Sequence, residues 1–311
     1  MHIGAKWQGI KLTNLQYKDY AILSVWWLAA RPKTLAAGMM PVVMGAVLAL
    51  GDGVFHAPSV VAAFCGALLI QIGTNYANDY FDFIKGTDTE TRIGPMRATQ
   101  AGLVAPEVMR NATIFVFLLV AIPAAYLVYR GGWPMLLIGL VSVLCGVLYT
   151  GGPYPLGYLG LGDIFVLIFF GPVAVAGTYF VQAQSLTTVV LLAGLAPGLF
   201  STAILTVNNL RDRAGDALSG KKTLAVRFGS RIARIEYVVC LVTGGILIPL
   251  LLCYIERGRW WAMLSAISVL AAVPAMRTVI TKEGETLNQE LARTGKLLIL
   301  FTFLFSAGWL L

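Results

Sequence analysis

Two runs of acidic and amide residues are the side chains in this sequence best suited to chemistry. The first run contains Asn75, Asn78, Asp79 and Asp82 at spacings i, i+3, i+4 and i+7, which predict a single face of a helix. Asp88 follows, beyond the predicted end of that helix. The run therefore predicts a cluster of oxygen ligands at a helix end.

The second run repeats this pattern later in the chain, with Asn208, Asp212 and Asp216 at i, i+4 and i+8. Oxygen ligands that face one another across a cavity suit Mg²⁺, which takes one or two carboxylates together with phosphate oxygens of a substrate. The two runs therefore predict Mg²⁺ as the cofactor and a diphosphate as the substrate. The alternative to a metal site is a structural role, in which each acid pairs with a nearby Arg or Lys and only caps a helix end at the surface.

Basic residues follow both runs and could neutralise the phosphate charge that metal ions leave over. We favour Arg97 after the first run and Lys221 after the second. Lys221 also follows a glycine, as in a phosphate-binding P-loop, but Lys222 stands where such a loop requires Ser or Thr, and an apolar helix replaces the preceding strand. An ATPase is therefore excluded. The candidate diphosphate-binding residues are Lys85, Arg92, Arg97 and Lys221.

The composition places both runs in a membrane protein. Hydrophobic residues make up 58% of the 311 residues and charged residues 12%, an apolar content that indicates a chain embedded in lipid. A span needs about 20 apolar residues, and the chain predicts an all-α integral membrane protein with nine transmembrane helices. The acidic runs close the second and sixth spans. The predicted spans are 34–51, 58–84, 108–129, 133–150, 162–182, 186–211, 233–255, 259–276 and 295–311.

The distribution of positive charge predicts the orientation of these spans. With a cytoplasmic N-terminus, 20 of the 23 Lys and Arg residues fall on the cytoplasmic side, and only Arg130, Arg257 and Arg259 fall outside. Residues 1–23 are predicted to form an N-terminal cytoplasmic segment and residues 24–311 a single membrane domain within the lipid bilayer. The basic residues do not cluster with aromatic residues on one face, so no nucleic acid is expected as a partner.

Residues 75–88, 92–97 and 208–229 resemble the UbiA superfamily of intramembrane prenyltransferases. The resemblance implies nine helices around a central cavity that is open to lipid. It also implies transfer of a polyprenyl group from a polyprenyl diphosphate to an aromatic acceptor, with Asp79, Asp82, Asp212 and Asp216 acting in catalysis. The expected metal ligands are Asn75, Asp79, Asp82, Asp88, Asn208, Asp212 and Asp216, and Asn75 and Asn208 are also expected to contact the substrate.

The acceptor is predicted from three short stretches. Residues 31–34, the six-residue step from Asp82 to Asp88, and residues 92–97 resemble the branch of the family that prenylates and decarboxylates 1,4-dihydroxy-2-naphthoate in menaquinone biosynthesis. The resemblance places such an enzyme in the bacterial cytoplasmic membrane, and it indicates no oligomeric state. The acceptors 4-hydroxybenzoate and homogentisate stay as alternatives. A secondary transporter is a more remote alternative function. It is considered because transporters also combine repeated halves with buried acids.

The connection at residues 149–163 is rich in Tyr, Gly and Pro and contains no basic residue. Tyr149 or Tyr154 is predicted to face an allylic cation, because aromatic faces stabilise cations. Tyr149 is the candidate catalytic residue of this segment. Tyr154 and Asp163 are candidate substrate-binding residues, with Asp163 helping to hold the acceptor. The same Gly and Pro residues also fit ordinary turns.

Overall fold

The protein is described by a computed structural model that covers residues 22–87 and 93–311. Within those ranges every regular element is a helix, as the long apolar runs predict. Most of the N-terminal segment, together with Asp88 and Arg92, lies outside the described residues. The helices are α1 Ile22–Ala30, α2 Pro32–Gly51, α3 Ala57–Ile84, α4 Pro106–Gly131, α5 Trp133–Leu148, α6 Gly162–Ala183, α7 Thr188–Leu218, α8 Leu224–Ile255, α9 Trp260–Thr281 and α10 Gly284–Leu310.

Each of the nine predicted spans corresponds to one helix from α2 to α10. In the described part of the chain, eight of these helices are long and apolar enough to cross a membrane. The exception is α5, whose 16 residues extend about 24 Å at a rise of about 1.5 Å per residue, less than the roughly 30 Å of a hydrocarbon core. The structure thus contains an all-helical bundle with eight helices of membrane length.

The corner between α1 and α2 is held by an unusual backbone conformation. Arg31 has φ 53°, a left-handed conformation that is uncommon for a residue with a side chain, and Pro32 begins α2 directly after it. The amide of Asn75 in α3 donates to the carbonyl oxygen of Ala30 at 2.8 Å. This bond fastens the corner to the helix that carries the first acidic run, and the Arg31 side chain lines the central cavity.

Helix α7 is the central element of the second half of the bundle, in contact with α6, α8 and α10. Phe200 of α7 stacks on Phe301 of α10 with 4.7 Å between ring centroids, and such buried aromatic pairs contribute strongly to packing. Gly198 lets α7 approach α6 closely, because a Cβ atom there would lie 2.5 Å from the carbonyl oxygen of Leu167. This packing fixes the helix that ends in the second acidic run.

Both acidic runs lie at the same end of the bundle, which we call the motif end. Helices α3, α5 and α7 finish there, and the loops at 93–105, 149–161 and 219–223 cover it. The opposite end carries a separate set of polar contacts, such as the hydroxyl of Tyr179 donating to Asp52 at 2.7 Å. The motif end is therefore where side chains from distant parts of the sequence meet.

Candidate functional site

A central cavity of about 730 Å³ begins at the motif end and continues between the helices. Its deeper wall is apolar, with small residues from α2, α3, α5 and α6. Its wall at the motif end is polar and carries both acids and bases. The residues that form this polar wall are Asn78, Asp82 and Arg97 from the first half of the chain, and Asn208, Asp212, Asp216 and Lys221 from the second.

The two acidic runs come together across the mouth of this cavity, as their matched positions at span ends predict. The Lys221 ammonium lies 3.4 Å from Asp82 and 3.9 Å from Asp216. One cation from the second half of the chain thus contacts a carboxylate of each run. The contact places a carboxylate of Asp82 and one of Asp216 within ion-pair distance of the same ammonium group.

Asp82 is a buried acid with several hydrogen-bond partners. Its side chain is only 2% exposed, and its Oδ2 atom accepts a hydrogen bond from Arg97 at 3.0 Å. Its Oδ1 atom accepts from the hydroxyl of Tyr158 at 2.8 Å and from that of Thr87 at 3.2 Å. Arg97 therefore lines the cavity and is paired with Asp82, and its binding of diphosphate stays a prediction.

Asp79 has a different environment from the one that its spacing predicts. It is 1% exposed, does not line the cavity, and accepts hydrogen bonds from the backbone N–H groups of Ala98 and Thr99, both at 3.0 Å. It therefore holds the loop that follows α3. Adjacent residues on a helix differ by about 100° in direction, so Asn78 faces the cavity while Asp79 faces the loop.

Asn78 is the cavity residue that the sequence analysis placed on the right face but did not select. Its Oδ1 atom accepts from the hydroxyl of Thr150 at 2.8 Å, and the side chain lines the cavity. Asn75, one turn further from the end of α3, also lines the cavity, and its amide nitrogen donates to Ala30. The first run thus contributes Asn78 and Asp82 at the mouth of the cavity.

The second run is organised around Arg211, which is buried. Its guanidinium donates to both oxygens of Asp212 at 2.8 and 2.6 Å, and to the Oδ1 atom of Asn208 at 2.8 Å. A further bond to Asn288 at 3.1 Å ties the run to α10. Arg211 therefore neutralises the charge of Asp212 and orients both Asn208 and Asp212 from within their own helix.

Lys85 is placed differently from its predicted role as a diphosphate ligand. Its ammonium donates to the carbonyl oxygens of Thr150 and Gly152 at 2.6 and 3.2 Å, and the residue does not line the cavity. Burial lowers the pKa of Lys85, while nearby Asp82 raises it in part. The side chain joins the end of α3 to the loop at 149–161.

The aromatic loop gives three different outcomes for its predicted residues. Tyr149 lines the cavity, so its predicted contact with an allylic cation stays a prediction. Tyr154 is 75% exposed and does not line the cavity, because it lies in the exposed part of the turn at residues 152–154. Asp163 is buried in the first turn of α6 but does not line the cavity either. Neither of these two residues fits its predicted contact with substrate in this structure.

Tyr158, in the same loop, is a cavity residue that the sequence analysis did not single out. Gly160 allows the loop to reach the second acidic run, since its φ is +74° and a Cβ atom there would clash with the carbonyl oxygen of Lys222. The backbone N–H of Lys222 donates to the carbonyl oxygen of Tyr158 at 2.8 Å. Only the richness of the segment in tyrosine pointed to this residue.

The donor set at the motif end fits a hard divalent cation that also binds substrate oxygens. Among the described residues, no three His, Cys, Asp or Glu side chains form a metal cluster by themselves. Three carboxylates, those of Asp82, Asp212 and Asp216, nonetheless border one cavity mouth together with amide oxygens and cations. Mg²⁺ typically takes one or two carboxylates and completes its shell with water and substrate phosphate, so the arrangement suits Mg²⁺ bound together with a diphosphate.

The class of protein that these features define is a membrane protein with an apolar internal cavity whose mouth carries acids and bases, an arrangement that suits an amphiphilic anion. The sequence profile of the UbiA prenyltransferase family matches residues 38–309. The chain belongs to this family. The prediction of the family from the two acidic runs is therefore confirmed.

Relatives and solved structures agree with this assignment. The chain is 35% identical to the 1,4-dihydroxy-2-naphthoate octaprenyltransferase of Escherichia coli (strain K12), over 91% of this chain and 94% of the relative. It is 33% identical to the protein of the same name from Haemophilus influenzae, over 93% and 96%. A UbiA homolog from Archaeoglobus fulgidus, solved with GPP and Mg²⁺, shares the fold with a TM-score of 0.67 and 14% identity, over 92% of this chain and 100% of that one.

Proposed function

We propose that the chain transfers a polyprenyl group from a polyprenyl diphosphate to 1,4-dihydroxy-2-naphthoate, in menaquinone biosynthesis. The observation that carries the proposal is the meeting of Asp82, Asp216 and Lys221 at the mouth of an apolar cavity. Acids and bases at one end suit a metal-bound diphosphate, and the apolar walls suit a prenyl tail. The naphthoate acceptor is proposed from the names of the relatives and from the resemblance at residues 31–34, 82–88 and 92–97.

The proposed Mg²⁺ ligands are revised from the sequence prediction by the geometry of the cavity. Asp82, Asp212 and Asp216 are the proposed carboxylate ligands, with the amide oxygens of Asn78 and Asn208 beside them. Asp79 is left out because it does not line the cavity and instead holds the backbone of the loop at residues 98–99. When bound, Mg²⁺ supplies the positive charge that stabilises the leaving diphosphate.

The side chains of the protein have three tasks in the proposed reaction. Arg97 and Lys221 exchange their carboxylate partners for phosphate oxygens and hold the diphosphate. The allylic C–O bond then breaks with both electrons remaining on the diphosphate, and the ring of Tyr149 faces the allylic cation in the cavity. The apolar wall excludes water, which would otherwise capture this cation.

The acceptor ring completes the reaction inside the same cavity. Its electron-rich carbon that bears the carboxylate forms the new C–C bond to the allylic carbon. The carboxylate then leaves as CO₂, and its bonding electron pair restores the aromatic ring. The products are diphosphate, CO₂ and demethylmenaquinone at the level of its quinol.

An acceptor assay with purified protein tests this proposal. Protein in detergent or nanodiscs, supplied with Mg²⁺ and a long-chain prenyl diphosphate, is expected to release diphosphate and CO₂ when given 1,4-dihydroxy-2-naphthoate. Little product is expected from 4-hydroxybenzoate or homogentisate. A rate on 4-hydroxybenzoate equal to that on the naphthoate would overturn the proposed acceptor, and no diphosphate release with any acceptor would overturn the proposed reaction.

We also propose that α2 to α10 all span the membrane, with the N-terminus and the motif end in the cytoplasm. The charge distribution supports this orientation, and the membrane proposed is the bacterial cytoplasmic membrane. The test introduces one cysteine, Ser219→Cys at the motif end or Val54→Cys at the other, after the native Cys65, Cys145, Cys240 and Cys253 are replaced. Labelling of both sites from the same side would contradict the topology.

A further inference from the structure

We propose that Tyr158 is a positioning residue that holds the Asp82 carboxylate and the Lys221 ammonium ready for Mg²⁺ and diphosphate. The inference rests on the proposed function and adds to it a residue from outside both acidic runs. Three observations support it: the position of Tyr158 between the two runs, the hydrogen bond of its hydroxyl, and the cations over its ring.

The loop that carries Tyr158 is anchored to the second half of the protein. The backbone N–H of Lys222 donates to the carbonyl oxygen of Tyr158 at 2.8 Å. The next residue, Leu159, accepts from Arg227 at 2.7 Å. Because Lys222 directly follows Lys221, these bonds fix the aromatic ring next to the lysine that reaches across to the first run.

The hydroxyl of Tyr158 contacts the first run. It donates to the Oδ1 atom of Asp82 at 2.8 Å and lies 3.0 Å from the hydroxyl of Thr87. The carboxylate of Asp82 is therefore held on one side by this phenol and on the other by Arg97. A carboxylate whose orientation is already fixed loses less conformational freedom when it binds a metal ion. Hydrogen-bonded partners orient metal ligands in this way in other proteins.

The ring of Tyr158 contacts two cations. The ammonium groups of Lys85 and Lys221 each lie 4.8 Å from the ring centroid. An aromatic face attracts a cation, so the ring offsets part of the mutual repulsion between these lysines. We infer that the ring keeps Lys221 at the cavity mouth when Asp82 exchanges it for Mg²⁺.

Two substitutions separate the hydroxyl from the ring. Tyr158→Phe removes the bond to Asp82 but keeps the aromatic face, whereas Tyr158→Leu removes both. Tyr129 at the other end of the bundle is 84% exposed, and Tyr129→Phe and Tyr129→Leu are the matched controls. The measurement is binding of Mg²⁺ and inorganic diphosphate to the purified full chain, by calorimetry and by thermal stabilisation.

The expected results differ between the two variants. Tyr158→Phe should weaken Mg²⁺ binding at saturating diphosphate by about tenfold, the effect of losing one hydrogen bond to a charged group. It should leave the affinity for diphosphate nearly unchanged at saturating Mg²⁺. Tyr158→Leu should also weaken diphosphate binding, by about fivefold. In both, the KM for the aromatic acceptor should stay close to that of the unmodified protein.

Three outcomes would overturn the inference or what it rests on. Unchanged Mg²⁺ affinity in Tyr158→Phe would overturn the role of the hydroxyl, and this variant decides the matter even if Tyr158→Leu fails to fold. A lower melting temperature without any change in Mg²⁺ affinity would mean that Tyr158 serves only the stability of the loop. Failure of the unmodified protein to bind Mg²⁺ with diphosphate would instead overturn the proposed function.

Discussion

Asp79 and Asp82 are three residues apart on one helix, and the structure predicts different effects for their replacement by asparagine. Asp79→Asn should lower the stability of the protein, whereas Asp82→Asn should weaken ligand binding. Asp79 accepts two backbone N–H groups of buried residues, Ala98 and Thr99. An asparagine there can accept from only one of them, and its own NH₂ group faces the other. Loss of a charge-assisted bond and of the partner of a buried N–H costs about 2–4 kcal/mol. For a chain of this length the melting temperature should fall by roughly 3–6 °C.

Asp82→Asn should act on ligand binding instead. With Mg²⁺ and diphosphate at 100 times their dissociation constant, binding stabilises the native protein by about 2.7 kcal/mol. If the missing charge weakens binding by about 100-fold, the stabilisation falls to about 0.4 kcal/mol. Asp79→Asn should keep the full stabilisation, measured from its lower starting temperature.

The assay is a thermal unfolding series on purified protein, with and without Mg²⁺ and inorganic diphosphate. Asp52→Asn is the matched acidic control, because Asp52 lies at the other end of the bundle, where its carboxylate accepts a hydrogen bond from Tyr179. Turnover is measured below the lowest melting temperature. If folded Asp79→Asn loses the ligand-induced stabilisation as completely as Asp82→Asn, Asp79 binds the metal and our placement of it is wrong.

Three further predictions follow from the same geometry. Lys221→Met should weaken diphosphate binding by about tenfold or more, because it removes a charged contact. The control Lys222→Met changes an exposed side chain and should alter diphosphate binding little. Equal effects of the two variants in a binding titration would contradict this prediction. Asp212→Asn should lower kcat by roughly two orders of magnitude without unfolding the protein, and a chelator should abolish turnover of the unmodified enzyme; activity in excess chelator would refute a role for Mg²⁺. Gly160→Ala should destabilise the protein by more than about 2 kcal/mol, since the left-handed strain adds to a clash with the Lys222 carbonyl. Gly53→Ala, with a similar φ but open space around it, should show the strain alone, and equal melting temperatures of the two variants would count against the close approach.

The sequence was sufficient for the class of the protein and the general place of its site. Apolar runs specify membrane helices because lipid requires every backbone polar group to be satisfied within a helix. The two acidic runs, around Asp82 and around Asp212, both lie at the ends of spans. Two helices that end at the same side of a bundle bring their last turns together, so the sequence indicates that the two runs meet. The resemblance to the UbiA family rests on those same residues.

Only the tertiary structure decided which members of each group face the cavity. Asn78 and Asp79 are adjacent on a broad polar arc, and helical periodicity does not say which of them points to a cavity and which to the returning loop at 98–99. The packing of that loop on the side of α3 makes the choice. Tyr154 and Tyr158 lie in a loop that has no helical periodicity, so the direction of each side chain depends on the individual turns around it. The close approach at Gly160 turns Tyr158 towards Asp82, whereas Tyr154 is left in the exposed turn.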